Sequence, residues 1–578
     1  MIYGTGFFEN HYKLTACHIQ FMRRYITLYL LIVVSTGEVL VPFKAQCQSI
    51  KNKPSSQYIS KVWVADNGDG TYRNPIIFAD YSDPDAIRVG DDYYLTGSSF
   101  NYMPGLPILH SKDLVNWTLI NHAIKRQAPD SVYDKPQHGK GIWAPAIRFH
   151  AGEFYIYYPD PDYGIYMVKT KRITGEWDKP VLVLKAKGVI DPCPLWDYNG
   201  KVYLVTAWAA SRAGVNSLLT VYRLNAAGSK VIDEGKHVFD GHEDQKTVEG
   251  PKFYKRNGYY YIFAPAGGVP NGWQLVLRSK DVYGPYEQKI VMDQGSTIVN
   301  GPHQGAWIET PEGASWFIHF QDKGAYGRIL HLEPVRWKND WPVIGIDKNG
   351  EGKGEPVAIY KKPYIGKIYP INTPVESDEF NTDILGQQWQ WQANPKISWY
   401  ALIRGSGFLR LFAIPEPKDA TNLWETPNLL SQKFPAPNFS AVTKVKYSVD
   451  ADNWQGKKAG LIILGNDYCY IAINKNEKGY LVRQVICKNA ANSTPEEIVD
   501  EQPIGSSSVY LKVSVNAPDA VCNFSYSEDG KNYKPLGKSF IARPDLWTGA
   551  KVGIFCIAKP DTHPGGYADF DWFRVDNK

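Results

Sequence analysis

Cysteine is sparse in this chain, seven among 578 residues, and no two sit at a zinc-ligand spacing, so the sequence offers no thiolate metal centre and no His/Cys cluster for a catalytic zinc. Removing an N-terminal leader leaves an odd number, Cys193, Cys469, Cys487, Cys522 and Cys556, several of them inside apolar strand patterns such as Val552 to Ile557. These read as small core residues. A dense Lys/Arg run is also lacking. The formal charge of +5 is spread thinly and partly carried by the N-terminal segment, which argues against a nucleic-acid partner. Helical periodicity of any length is absent outside the leader, which excludes helical and α/β architectures. The one apolar run, Tyr25 to Ser35, is short for a membrane span and is followed by Gly37 and Glu38, so no stable span is expected.

Aromatics are abundant, at 14% with 18 Trp and 38 Tyr, a surplus that suits β-sheet packing or stacking on sugar rings. They recur in a phrase of one small turn followed by paired aromatics. The copies are Gly90 to Leu95, Gly152 to Ile156, Gly200 to Leu204, Gly258 to Ile262 and Gly313 to Ile318. Their spacing of roughly 50 to 60 residues is the blade period of a β-propeller. Five copies predict five blades over residues 71–358. Ser111 to Trp117, Thr174 to Trp177 and Ser279 to Tyr286 read as outer turns of three of them.

Met22-Arg23-Arg24 and the apolar run have the form of a secretory signal, with a start at Met22 and a cleavage or lipidation region at Ala45-Gln46-Cys47. The expected organisation is a signal region over 1–47, a linker over 48–70, the propeller, a Pro- and Lys-rich linker over 359–376, and a β-sandwich over 377–578, where strands become short and alternating. The fold class is therefore all-β, and the expected location is secreted or periplasmic. Oligomeric state is not fixed by the sequence.

Three carboxylates stand just before aromatic strands with Pro or Gly-Pro beside them: Asp83 in Ser82-Asp83-Pro84, Asp191 in Asp191-Pro192, and Glu249 in Glu249-Gly250-Pro251. At matching blade positions they can converge on the axis. Taken singly, each also reads as a turn former.

The ordered set Asn74-Pro75-Ile76, Asp83-Pro84, Val89 to Leu95, Ser98-Ser99-Phe100, His110 to Trp117, Trp143-Ala144-Pro145, Ile190-Asp191-Pro192, Glu249-Gly250-Pro251 and Leu332 to Val335 resembles glycoside hydrolase family 43, in particular its β-xylosidases and α-L-arabinofuranosidases with a C-terminal β-sandwich. The resemblance implies a five-bladed propeller and hydrolysis with inversion. It makes Asp83 the general base, Glu249 the general acid and Asp191 the carboxylate that orients the acid and raises its pKa. Asp85 departs from the family's usual Ser and rivals Asp83. Phe100, Trp143 and Trp208 match aromatic walls, each with core packing as the other reading, and Arg328 matches a substrate-contacting arginine. His303 matches a channel histidine where relatives hold a metal or water, although a lone His is more often structural. No cofactor is required for the chemistry, but a structural Ca²⁺ is an expectation at the sandwich ends, with Asp571 as ligand. The loop Asn453 to Gly456 is a candidate cap over an exo pocket.

The implied activity is removal of terminal β-D-xylosyl or α-L-arabinofuranosyl units from plant-wall oligosaccharides. An arabinanase or galactan hydrolase on the same scaffold, and a non-catalytic carbohydrate-binding propeller, are the competing readings.

Overall fold

The computed structural model describes residues 57–577 apart from 404, 451, 452, 563 and 564, so the expected signal region lies outside the described residues. Five four-stranded antiparallel sheets, each built from consecutive strands, form the propeller. Blade 1 runs from Asp85–Val89 to Trp117–Ile124, blade 2 from Ala146–His150 to Val181–Leu184, and blade 3 from Val189–Trp196 to Lys236–Asp240. Blade 4 runs from Lys252–Arg256 to Glu287–Met292 and blade 5 from His303–Glu309 to Trp341–Ile344. First strands of blades 1 to 4 touch in succession, and that of blade 5 touches that of blade 1, so first strands line the axis.

The aromatic phrase now has a physical account. Its glycine makes the turn between first and second strands at positive φ in every blade (Gly90, Gly152, Gly200, Gly258, Gly313), a conformation that only glycine adopts without strain. The second strand is buried on both faces, so consecutive side chains point into opposite blade interfaces. Phe154 and Ile156 pack against blade 1, whereas Tyr155 and Tyr157 pack against blade 3. Tyr260 and Tyr261 divide in the same way between blades 3 and 5. The predicted outer turns join third and fourth strands in blades 1, 2 and 4.

The ring has no shared blade. Thr71–Arg73 pairs antiparallel with Ile359–Lys361, and Ile77 bridges to Leu330 of blade 5. The segments expected as linkers are therefore tied down. Ile359–Lys361 is a strand, Thr373 N donates to Tyr58 O at 3.0 Å, and Ser60 N donates to Thr373 Oγ1 at 2.8 Å. Their polar composition looked linker-like because these backbone groups are satisfied by side chains and by each other instead of by a long ladder.

From Asp378 onward two large sheets face each other. The strand Ser508–Asn516 buries every second residue, Val509, Leu511, Val513 and Val515, the alternation of a sheet with one face on a core. That core also takes in Phe78, Tyr326 and Ile329 of the propeller, which fixes one domain on the other. All five described cysteines are free and buried. Among the described residues no helix is long and apolar enough to cross a membrane.

Candidate active site

Asp83 ends the loop into the first strand of blade 1, Asp191 lies within the first strand of blade 3, and Glu249 precedes the first strand of blade 4. A register shift between Ile190 and Cys193 marks a bulge that turns Asp191 inward. Asp83 and Asp191 both have positive φ (53° and 54°), as does Phe100 (52°). Such backbones cost about 1–3 kcal/mol each and gather at functional sites. The prolines and glycines beside the acids are thus part of the strained turns that aim them. A Cβ on Gly250 would meet Gln304 Cγ at 2.5 Å, so only glycine fits beside Glu249.

These elements meet in a pocket lined by all three acids with Phe100, Trp143, Gln304, Arg328 and Trp547. Ser98 Oγ donates to Asp83 Oδ2 at 2.6 Å and Arg328 Nη1 donates to Asp83 Oδ1 at 2.7 Å. A carboxyl that accepts on both oxygens presents itself as the anion. Gly250 N donates to Asp191 Oδ2 at 2.7 Å. The Glu249 carboxyl approaches His303 Nε2 at 3.5 Å from its Oε1, and its side chain remains 30% exposed, in the pocket it lines. Burial first, then the charges of Asp191 and Asp83, push the Glu249 carboxyl up to about 8 against the pull of Arg328. Burial also raises Asp191, to about 7. The pair holds a proton across the neutral range.

Another cavity lies in the seam between propeller and sandwich, but Glu376 is the one carboxyl that lines it. Acid–base chemistry on a glycosidic bond needs two, so the axial pocket is the site.

The family profile described as glycosyl hydrolases family 43 matches residues 72–342, and that of the β-xylosidase C-terminal concanavalin A-like domain matches 377–576. A putative β-xylosidase of Xylanibacter ruminicola is 39% identical over 86% of this chain and 88% of its own. The chain belongs to glycoside hydrolase family 43. A β-xylosidase of Formosa agariphila is 33% identical over 88% of this chain and 91% of its own. A non-reducing end α-L-arabinofuranosidase of Bacteroides ovatus is 28% identical over 87% and 94%. The crystal structure of a xylan β-1,4-xylosidase from Bacillus halodurans superposes with a TM-score of 0.76 at 25% identity, covering 87% of this chain and all of that one.

Several expectations about this family-43 site need correction. Asp85 is fully buried and accepts from Ile147 N at 2.8 Å and from Arg148 Nη1 at 2.6 Å, so it ties blade 1 to blade 2 and leaves the pocket to Asp83. Trp208 does not reach the pocket. It ends the second strand of blade 3, and its Nε1 donates to Thr220 Oγ1 at 2.9 Å beside His237. Arg212, just beyond it, instead stacks over the Trp143 ring at 5.0 Å. His303 is fully buried next to Glu249, with burial and Arg328 holding its imidazole down at about 3 and therefore neutral. It joins no group of three metal-ligating side chains among the described residues, so no step is routed through a metal there. Asp571 pairs with Lys444 at 2.9 Å, and Asp378, which opens the sandwich, is taken by Phe380 N and Trp389 Nε1.

The residue that sequence reasoning missed is Trp547. It comes from the sandwich, half exposed, with φ of 65°, 6.2 Å from the Trp143 ring. The loop Asn453 to Gly456, expected as the cap, packs instead by Gly456 O against Lys559 N. Two buried acids hold Trp547. Asp545 bonds His138 and accepts from Tyr102 Oη at 3.1 Å. Asp80 accepts from Gly549 N at 3.0 Å and from Arg328 N at 2.9 Å, joining the Trp547 loop to the arginine strand. The turn signal Arg543-Pro544-Asp545 and Thr548-Gly549 is visible in the sequence, but its partner is in the other domain.

Proposed function

We propose that this enzyme releases single terminal sugars with inversion, Asp83 acting as general base, Glu249 as general acid, and Asp191 as the charge that orients and tunes Glu249. The observation that carries this reading is the division of the three acids in one pocket. Asp83 is held as an acceptor by Arg328 and Ser98, while Glu249 is desolvated, raised and free of any strong hydrogen bond. One acid can therefore draw a proton from water while the other delivers one to the leaving oxygen. Phe100, Trp143 and Trp547 supply faces for the C–H side of a pentose. A sandwich residue on the rim of a small pocket favours chain ends over the open cleft that an arabinanase or galactan hydrolase needs.

The relatives at 39% and 33% identity carry the β-xylosidase name, so the β-D-xylosyl unit of a xylo-oligosaccharide is the first substrate assigned, with α-L-arabinofuranosyl second. The signal-like pattern of Met22-Arg23-Arg24 and the apolar run Tyr25 to Ser35 supports export, as a secreted or periplasmic enzyme. Proton NMR of p-nitrophenyl β-D-xyloside hydrolysis, in which every released xylose comes from the glycone, tests the reading. α-Xylose must be the first product, followed by mutarotation. Initial β-xylose contradicts inversion, and no cleavage of xylobiose alongside rapid cleavage of an arabinofuranoside moves the assignment to the second sugar.

A further inference from the structure

Away from the pocket, His319, His331 and Glu333 turn inward from the second and third strands of blade 5, all buried, with ligand-capable atoms within 4.8 Å of one another. His319 Nδ1 donates to Phe320 O at 3.2 Å, and its Nε2 stands 3.3 Å from Glu333 Oε1. That second contact closes only with a second proton on His319 or one on Glu333; with a neutral imidazole and a carboxylate, Nε2 presents a lone pair that a cation would take. His331 stands stacked beside His319, ring centroids 5.3 Å apart, and neither of its buried nitrogens has a partner. His303 shares this trait but belongs to no group of three ligand-capable side chains among the described residues, so it is the unsatisfied imidazole together with His319 and Glu333 that calls for a missing group here.

We propose that His319, His331 and Glu333 form a buried site for a divalent transition ion of the zinc class. Two imidazoles and one carboxylate suit zinc or cobalt, whereas calcium and magnesium seek oxygen. At about 2.0–2.1 Å per bond, adjacent ligands of a tetrahedral ion lie roughly 3.3 Å apart, the separation that His319 Nε2 and Glu333 Oε1 already have. The outer shell is in place. Phe320 O fixes the His319 tautomer, and Val357 N donates to Glu333 Oε2 at 2.8 Å. Asn74 Nδ2 donates to Glu333 Oε1 at 3.2 Å and to Leu332 O and Val357 O at 2.9 Å. Asn74 and Val357 flank the strands that close the ring, so the ion stabilises propeller closure and takes no part in catalysis.

The test is full-length protein produced in minimal medium supplemented with Co²⁺ in place of Zn²⁺. One cobalt per chain is expected, with visible ligand-field bands of a low-coordinate site, and the zinc form should melt roughly 2 °C or more above chelator-stripped protein. The bands must vanish in His331→Phe and in Glu333→Gln and persist in His303→Gln. Absence of stoichiometric metal in the wild-type chain overturns the proposal whether or not the variants fold. Bands that survive both substitutions, or that depend on His303, overturn it too.

Discussion

In the propeller, Asp83, Asp191 and Phe100 sit at positive φ, and the Asp191 and Glu249 carboxyls are desolvated against each other. In the sandwich, acids meet cations. Glu379 takes Arg574 at 2.7 Å through both oxygens, Asp569 takes Arg410 at 2.7 Å, and Asp571 takes Lys444. The first arrangement raises free energy locally and the second lowers it, and the contrast separates a surface built to react from one built to hold. Trp547 crosses that division. It belongs to the quiet domain, yet it shares the pocket of the reactive one. Chemistry thus comes from propeller residues, and the shape of the substrate's end comes in part from the sandwich.

Removing the reactive side gives the largest effect. Asp83→Asn should lower kcat on xylobiose by about 10³-fold or more, because no other ionised acceptor faces the water's side of the sugar. Glu249→Ala should cost about 10²–10³-fold on xylobiose but roughly tenfold or less on p-nitrophenyl β-D-xyloside, whose leaving group needs no proton. Equal losses on both substrates would contradict the acid assignment. Steady-state rates on the two substrates decide it.

The quiet side should affect binding instead. Trp547→Ala removes a half-exposed ring, so KM should rise about tenfold with kcat little changed and Tm within roughly 2 °C of the wild type. A falling Tm with unchanged KM would reassign Trp547 to domain docking and leave the pocket to the propeller alone.

Legibility followed the same division. The blades could be read because a strand buried on both faces must repeat its aromatics, and the hairpin before it must repeat its glycine. The three acids could be read because strained turns need Pro and Gly beside them. Trp208 misled because a Trp at the end of a strand looks the same whether it faces an axis or, as here, Thr220 and His237 of its own blade. Trp547 could not be read, since its position depends on Asp80 and His138 lying more than 400 residues away in sequence. The acidic sandwich ends show their charge in the sequence but not their partners, here Lys444 and Arg574.

The smallest expected change tests the coupling within the reactive side. Glu249 must be protonated to act as acid, and its folded-state carboxyl is raised to about 8. The protonated fraction is therefore full below that pH and lost above it, so kcat/KM should fall on the alkaline side with a midpoint near 8. Asp191→Asn retains an oxygen to accept from Gly250 N but removes the charge second only to burial in raising Glu249. The alkaline limb should then move down by roughly one pH unit. Burial alone would leave the limb where it was. An unmoved limb would mean that Asp191 itself carries the shared proton and serves to position Glu249, because a neutral neighbour has no charge to remove.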